Sequence, residues 1–259
     1  MLPSLFIAHG APLLAVENNE YTQFLSQLGK QLSRPKAIVL FSAHWEARIQ
    51  KVSEVDQYSM IYDFGGFDPV LNRIQYPAVG NKDIAKEIED LFTSSAIPFA
   101  VERQRGLDHG AWVVLRLLYP NAEIPVISMS VNPQLNLEEH YKIGKALEQL
   151  RKHDILIIGS GGTVHNLRAL NWADDGSVDQ WAVEFDEWLA QTLQQWDLSS
   201  LYSYQSTAPS AELAVPPYGK EHFIPLIYAM GAADRVQKAT LLHRSYRYGN
   251  LSHSVWKFG

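Results

Sequence analysis

The chain contains no cysteine, which removes disulfides, thiolate metal sites and cysteine nucleophiles by inventory alone. Any metal must be held by nitrogen or oxygen. Dense runs of lysine or arginine are also missing, and the formal net charge is -6 over 259 residues. A protein built to grip phosphate backbones carries the opposite balance, so nucleic acid is not an expected partner. No stretch approaches the roughly 18 to 20 consecutive apolar residues that span a bilayer, so no membrane partner is expected either. The opening MLPSLFIAHGAP is apolar but lacks a basic leader and a small-residue cleavage site, and it reads as a first strand rather than a signal peptide. A cytoplasmic protein is the expectation. There is no internal repeat, low-complexity tract or linker, and nothing in the sequence speaks to oligomeric state.

What is present, 46% hydrophobic and 19% charged residues, suits one compact domain over residues 1-259. SLFIA (4–8) and AIVLFSA (37–43) read as strands. Between them, residues 21–32 place Phe24, Leu25, Leu28 and Leu32 on one helical face. After a loop rich in Tyr, Phe, Gly and Pro (58–80), helical spacing returns through Ile84, Ile88 and Leu91, followed by a strand at 97–102. A helix (110–119), a strand (124–131), an amphipathic helix (137–152) and a strand running into glycines (155–162) continue the alternation. The last third predicts a Trp-rich helix near 179–195, a Pro-rich loop (207–217), a helix from about Glu221 to Ala233 and two short strands. Such alternation implies an α/β fold with helices on both faces of a sheet.

Histidine is where the chemistry concentrates. Three of the nine histidines, His9, His44 and His165, follow the carboxyl ends of predicted strands, where open α/β sheets form their ligand crevice. His109, on a glycine-flanked turn into a helix, and His222, at a helix start, belong with them. Together they point to a first-row metal bound by imidazoles, with Glu221 or Glu46 as a possible carboxylate ligand. Glu46 is also a candidate acceptor for a ligand imidazole, equally read as a surface carboxylate. His140 and His153 have charged neighbours and read as solvated; His243 and His253 read as structural. GSGG at 159–162 lacks the Lys-Ser/Thr ending of a P-loop and the spacing of GxGxxG, and Ser160 fails GxSxG because residue 158 is isoleucine.

Ordered blocks nevertheless match a known pattern: HGAP (9–12), SAHWE (42–46), YDFGGF (62–67) with YPAVG (76–80), RGLDHGAW (105–112), IIGSGGTVHNLRAL (157–170) and EHFIPL (221–226). They run nearly end to end, and on them the chain resembles the LigB-like class III extradiol ring-cleavage dioxygenases, in the branch of DOPA 4,5-dioxygenase type. The resemblance implies a three-layer α/β/α sandwich with a central, mostly parallel mixed sheet. It implies one ferrous, Fe(2+), non-haem site held by His9, His44 and His222. His165 matches the acid/base histidine, with a place beside the metal as its other reading, and His109 a second active-site histidine. One departure is Val215-Pro216, where relatives commonly carry a histidine-proline pair, and it bears on substrate specificity.

The implied reaction opens the ring of a substituted catechol, DOPA-like or caffeate-like, with O2. Triplet dioxygen needs a metal that exchanges an electron; zinc, Zn(2+), can occupy imidazole sites but has no redox chemistry. Chelation would acidify the catechol, and His165 could take and return a proton. His109 could hydrogen-bond oxygen species or substrate. Tyr62, Phe64, Phe67 and Trp45 are candidates for an aromatic wall, with core packing the equal alternative; Trp112 reads as packing. Two other classes fit the bare histidine pattern: a zinc-dependent hydrolase on the same architecture, and a non-catalytic metal-binding module.

Overall fold

A computed structural model describes residues 1–259. In chain order it contains β1 (Ser4–Ala8), α1 (Glu20–Gln31), β2 (Ala37–Glu46), β3 (Gln50–Ser53), α2 (Lys82–Ser94) and β4 (Phe99–Glu102). Then come α3 (His109–Leu118), β5 (Val126–Val131), α4 (Leu137–Ala146), β6 (Ile155–Gly161) and α5 (Gln180–Gln194). Three short helices follow, α6 (Leu198–Tyr202), α7 (Tyr204–Thr207) and α8 (Ala211–Ala214), then α9 (Ile224–Gly231), β7 (Ala239–Arg247) and β8 (Leu251–Phe258). The strands form one sheet in the order β4-β3-β5-β2-β6-β1-β8-β7. The central β5, β2, β6 and β1 are parallel, and antiparallel pairings join β3 to β5 and build the β1-β8-β7 edge.

Side chains on a strand alternate between faces, and the central strands are apolar on both. Leu5, Ile7, Ile38, Leu40, Leu156 and Ile158 enter a core shared with α1 and α3. Val39, Phe41, Ile155 and Ile157 enter the opposite core, with α2, α4 and α9. The result is a three-layer α/β/α sandwich with a mixed sheet. Helix starts are set by side-chain caps that satisfy orphan backbone N–H groups: Asn19 and Asn136 form capping boxes at α1 and α4, while Asn81 and Asp108 cap α2 and α3. No helix is long and apolar enough to cross a membrane.

Several boundaries differ from the sequence expectation. β2 continues through Glu46, so His44 lies within the strand rather than after it. Between Phe41 and Glu46, five steps along β2 oppose two along β5, Met129 to Val131, so the strand bows out there. β3 escapes notice because QKVS is short and three of its four residues are polar. The helix expected over 137–152 ends at Ala146 and continues as a 3-10 turn, Glu148–His153. The one expected from Glu221 begins as a 3-10 turn, Lys220–His222, with α9 starting where Pro225 needs no N–H partner. The final strands are nine and eight residues long, a full hairpin in place of two short strands.

His140 corrects a sequence expectation outright. It is fully buried, not solvated, and its Nδ1 lies 2.9 Å from the Tyr228 hydroxyl. Amphipathic helices bury one face, and position 140 falls on it. His153 is exposed and pairs with Glu87, as expected of a surface residue. His253 is buried and stacks on Tyr21, and His243 packs against Phe24.

Burial holds the His140 imidazole at a pKa of about 3, against about 6.5 in an unfolded chain. Above pH 6.5 both states are neutral and the group contributes nothing to the pH dependence. As pH falls from 6.5 towards 3 only the unfolded chain takes the proton, so stability is lost by up to about 1.4 kcal/mol per pH unit for this residue. Urea denaturation of His140→Gln against wild type over that window should show the variant's stability falling less steeply by about that amount. Parallel slopes would refute the assignment.

Candidate metal centre

His9 leaves the end of β1, with its backbone N–H bonded to the Gly161 carbonyl (3.1 Å). His44 comes from the bowed part of β2, and His222 from the 3-10 turn before α9. β1 and β2 are not neighbours, because β6 lies between them. The two imidazoles therefore meet across the end of β6. His44 Nε2 is 3.0 Å from His9 Nε2 and 3.3 Å from His222 Nε2, and the three form a group whose nitrogens could hold a metal ion. Nitrogens bound at about 2.1 Å to one tetrahedral or octahedral ion are separated by about 3.0 to 3.4 Å, so the spacing fits a single ion.

The opposite ring nitrogens explain which atoms point inward. Ser160 in β6 spends its only hydroxyl hydrogen on the Gly110 carbonyl. Its oxygen is left to accept from His9 Nδ1–H at 3.1 Å, and His9 Nε2 keeps its lone pair. His222 Nδ1–H donates to Glu221 at 2.8 Å. His44 Nδ1 lies 3.5 Å from Asp63 Oδ2. Burial, together with repulsion among neighbouring imidazoles, holds His9 and His222 well below the usual histidine range. Burial, reinforced by His109, lowers His44 to about 4. All three are neutral at pH 7, the state that binds a metal.

The packing around the group admits little else. A Cβ on Gly110 would sit 2.8 Å from Ser42 Oγ and 2.9 Å from His44 Cδ2; one on Gly161 would sit 2.1 Å from the His222 carbonyl. The first glycine lets α3 approach His44, and the second lets the His222 turn lie against β6. Asp108, buried at the start of α3, accepts from Ser42 and from Arg105. Arg105 also donates to the His44 carbonyl at 3.1 Å, and so holds the bow of β2.

Two further imidazoles face the same space. His109, the first residue of α3, donates both its backbone N–H and Nδ1–H to Asp63 Oδ1, at 3.0 and 2.9 Å. That leaves its Nε2 for a ligand. Although burial opposes it, the hydrogen bond and charge of His109 hold Asp63 down at about 2. The His165 ring stacks on His222, with centroids 3.6 Å apart and planes 9° from parallel. His165 stands beside the three-nitrogen group rather than within it. Burial, with repulsion from His44 and His109, lowers its pKa to about 3, so it too is neutral.

The five histidines line one cavity of about 520 Å³, together with Phe64, Phe67, Arg168, Trp172 and Tyr218 among others. Of the expected aromatic wall, Phe64 and Phe67 are present. Tyr62 packs behind them against Trp112, which is core as expected. Trp45 is buried under the Arg105 guanidinium and outside the cavity. Val215 is buried in the core beside α5 and does not line the cavity, nor does Glu46. Sequence reasoning missed Asp63, which lay inside the quoted YDFGGF block. It also weighed Ser160 only as a nucleophile; the hydroxyl instead orients the His9 imidazole.

Comparison with known proteins follows the same outline. A family profile described as "Catalytic LigB subunit of aromatic ring-opening dioxygenase" matches residues 3–259. The chain is 40% identical to a 4,5-DOPA dioxygenase extradiol of Beta vulgaris, over 98% of this chain and 96% of that protein. It is 34% identical to one of Escherichia coli K12, over 97% and 92%. The crystal structure of an uncharacterized protein from Escherichia coli K12 superposes with a TM-score of 0.85 at 31% identity, covering 100% of both chains.

If Ser160 fixes the His9 tautomer, Ser160→Ala should weaken metal binding about 10- to 100-fold, the usual effect of losing an outer partner of a metal-ligating histidine. Titration with a competing chelator, with circular dichroism to confirm folding, checks this. Unchanged affinity in a folded variant would refute it.

Proposed function

The chain belongs to the LigB family of aromatic ring-opening dioxygenases, and on that premise we propose that it opens DOPA-like or caffeate-like catechols at a ferrous ion held by His9, His44 and His222. It is an extradiol dioxygenase, an oxidoreductase that depends on a metal and takes a small aromatic molecule and O2 as substrates. We read residues 1–259 as one catalytic domain. The observation that carries the choice of ligands is the convergence of three neutral, largely buried Nε2 atoms, two of them with tautomers fixed by Ser160 and Glu221.

When bound, a ferrous ion supplies Lewis acidity towards the catechol oxygens and the one-electron chemistry that triplet dioxygen requires. The protein does the rest. His9, His44 and His222 come from three separate segments and all line the cavity that would receive the catechol. Phe64 and Phe67 line the space that would take an aromatic ring. His165, neutral and adjacent, takes the second hydroxyl proton at a ring nitrogen. The negative charge of the catecholate raises the proton affinity of that imidazole and so helps it to hold the proton. His109, fixed by Asp63 through Nδ1–H, presents its Nε2 lone pair to the cavity as a hydrogen-bond acceptor for a substrate O–H. In the balanced reaction the ring carbon–carbon bond beside the diol breaks, and both atoms of O2 are retained in an acid–aldehyde product.

Anaerobic reconstitution with Fe(II), followed by a catechol and air, should consume one O2 per catechol and yield a yellow ring-opened product; the zinc-loaded protein should consume none. No uptake across a broad catechol panel would reject the reading. His165→Ala should retain metal stoichiometry while kcat falls by about 10²- to 10⁴-fold, the range for loss of an acid–base group. His9→Ala should lose the metal. If His165→Ala lost it too, His165 would be a ligand.

A further inference from the structure

The cavity has a charge pattern that the ring-opening reading does not use. Apart from the histidines, Arg168 is the cation on its wall, and Asp63 and Glu221 are the carboxylates. Both carboxylates are engaged by imidazoles, Asp63 by His109 and Glu221 by His222. Arg168 is different. It forms none of the ion pairs seen elsewhere in the chain, such as that of Arg247 with Glu17 and Asp174. Its guanidinium carbon lies 3.9 Å from the centroid of the Tyr218 ring. Stacking of this kind fixes the plane of the group and leaves its N–H edge free for a planar, two-oxygen acceptor.

The platform under it is built. The Tyr218 hydroxyl donates to Asn166 Oδ1 at 3.0 Å, and the same oxygen accepts the Arg168 backbone N–H at 3.1 Å. Asn166 Nδ2 donates to the Leu213 carbonyl, which ties the two loops together. Those loops also carry the chemistry. Arg168 is three residues from His165, and Tyr218 four from His222. His165, Arg168 and Tyr218 line the same cavity, so a ring seated beside His165 can direct a short substituent towards the guanidinium.

We propose that Arg168 is a specificity-determining residue that binds a carboxylate at the end of the catechol's side chain, and that the enzyme selects aryl-alkanoic acids over neutral or cationic catechols. A substrate ammonium would meet a cation at the rim and no free carboxylate to pair with it. The inference rests on the ring-opening reading.

Its test uses dihydrocaffeate, neutral propylcatechol and dopamine with the Fe(II)-loaded enzyme. Binding is measured by calorimetry without oxygen, and kcat/KM by O2 uptake. Wild type should favour dihydrocaffeate over propylcatechol by about 10- to 100-fold in Kd, the range for a charge-assisted hydrogen-bonded pair, and should disfavour dopamine. Arg168→Met should bring the acid and neutral compounds together, and Arg168→Lys, which keeps the charge without the fork, should restore part of the gap. Equal affinity for acid and neutral compounds in wild type, or an equal loss for both in Arg168→Met, would overturn the inference and leave ring opening intact. If no catechol were opened at all, the underlying reading would itself have failed.

Discussion

Three imidazole lone pairs directed at one another inside a protein repel, and the surrounding structure is organised around holding them there. Left alone, buried imidazoles would rotate or exchange tautomers until one ring donated to the next. Here two of the Nδ1 atoms are hydrogen-bonded, His9 to Ser160 and His222 to Glu221, and Asp63 lies 3.5 Å from the third, on His44. The partners come from β6, from the turn before α9 and from the long loop after β3. A trio of nitrogens oriented in this way therefore exists only once the parallel centre of the sheet and the elements on both its faces have assembled.

The same requirement accounts for local irregularities that would otherwise look like defects. The bow in β2 takes His44 out of the regular pleat and aims it across the end of β6. Such a bow costs ladder hydrogen bonds, and Arg105 and Ser42 replace part of them by bonding the His44 carbonyl and backbone N–H. Close approach of α3 and of the His222 turn then requires glycine at 110 and 161. A larger residue at either position would push α3 or the His222 turn away and separate the nitrogens.

The alternation of elements was legible in the sequence because both faces of the central strands are covered, which produces runs such as IVLF and LIIG with helical spacing between them. The five histidines were legible as a set through their places near strand ends and helix starts. Their partners were not. Asp63 sits in an aromatic and glycine-rich loop with no periodicity, and its role depends on a contact 46 residues away in sequence. Ser160 looked like a failed nucleophile because a local motif cannot show that its hydrogen is committed to Gly110. His140 was misjudged for a related reason: neighbours in sequence were charged, but the helix turned it onto Tyr228.

Electrostatics connect the site to its working conditions. Crowding and burial hold the ligand imidazoles well below neutral pH, so a divalent ion entering near pH 7 does not have to displace protons from them. Neutral ligands also leave the ion's double charge intact, whereas a carboxylate ligand would cancel part of it. That charge acts instead on the catechol oxygens, whose ionisation the site must promote. The carboxylates of Asp63 and Glu221 contribute from one shell further out, through His109 and His222, where they orient rings without neutralising the centre. The positive potential at such a site would therefore come from the ion itself, with the neutral imidazoles neither adding to it nor cancelling it.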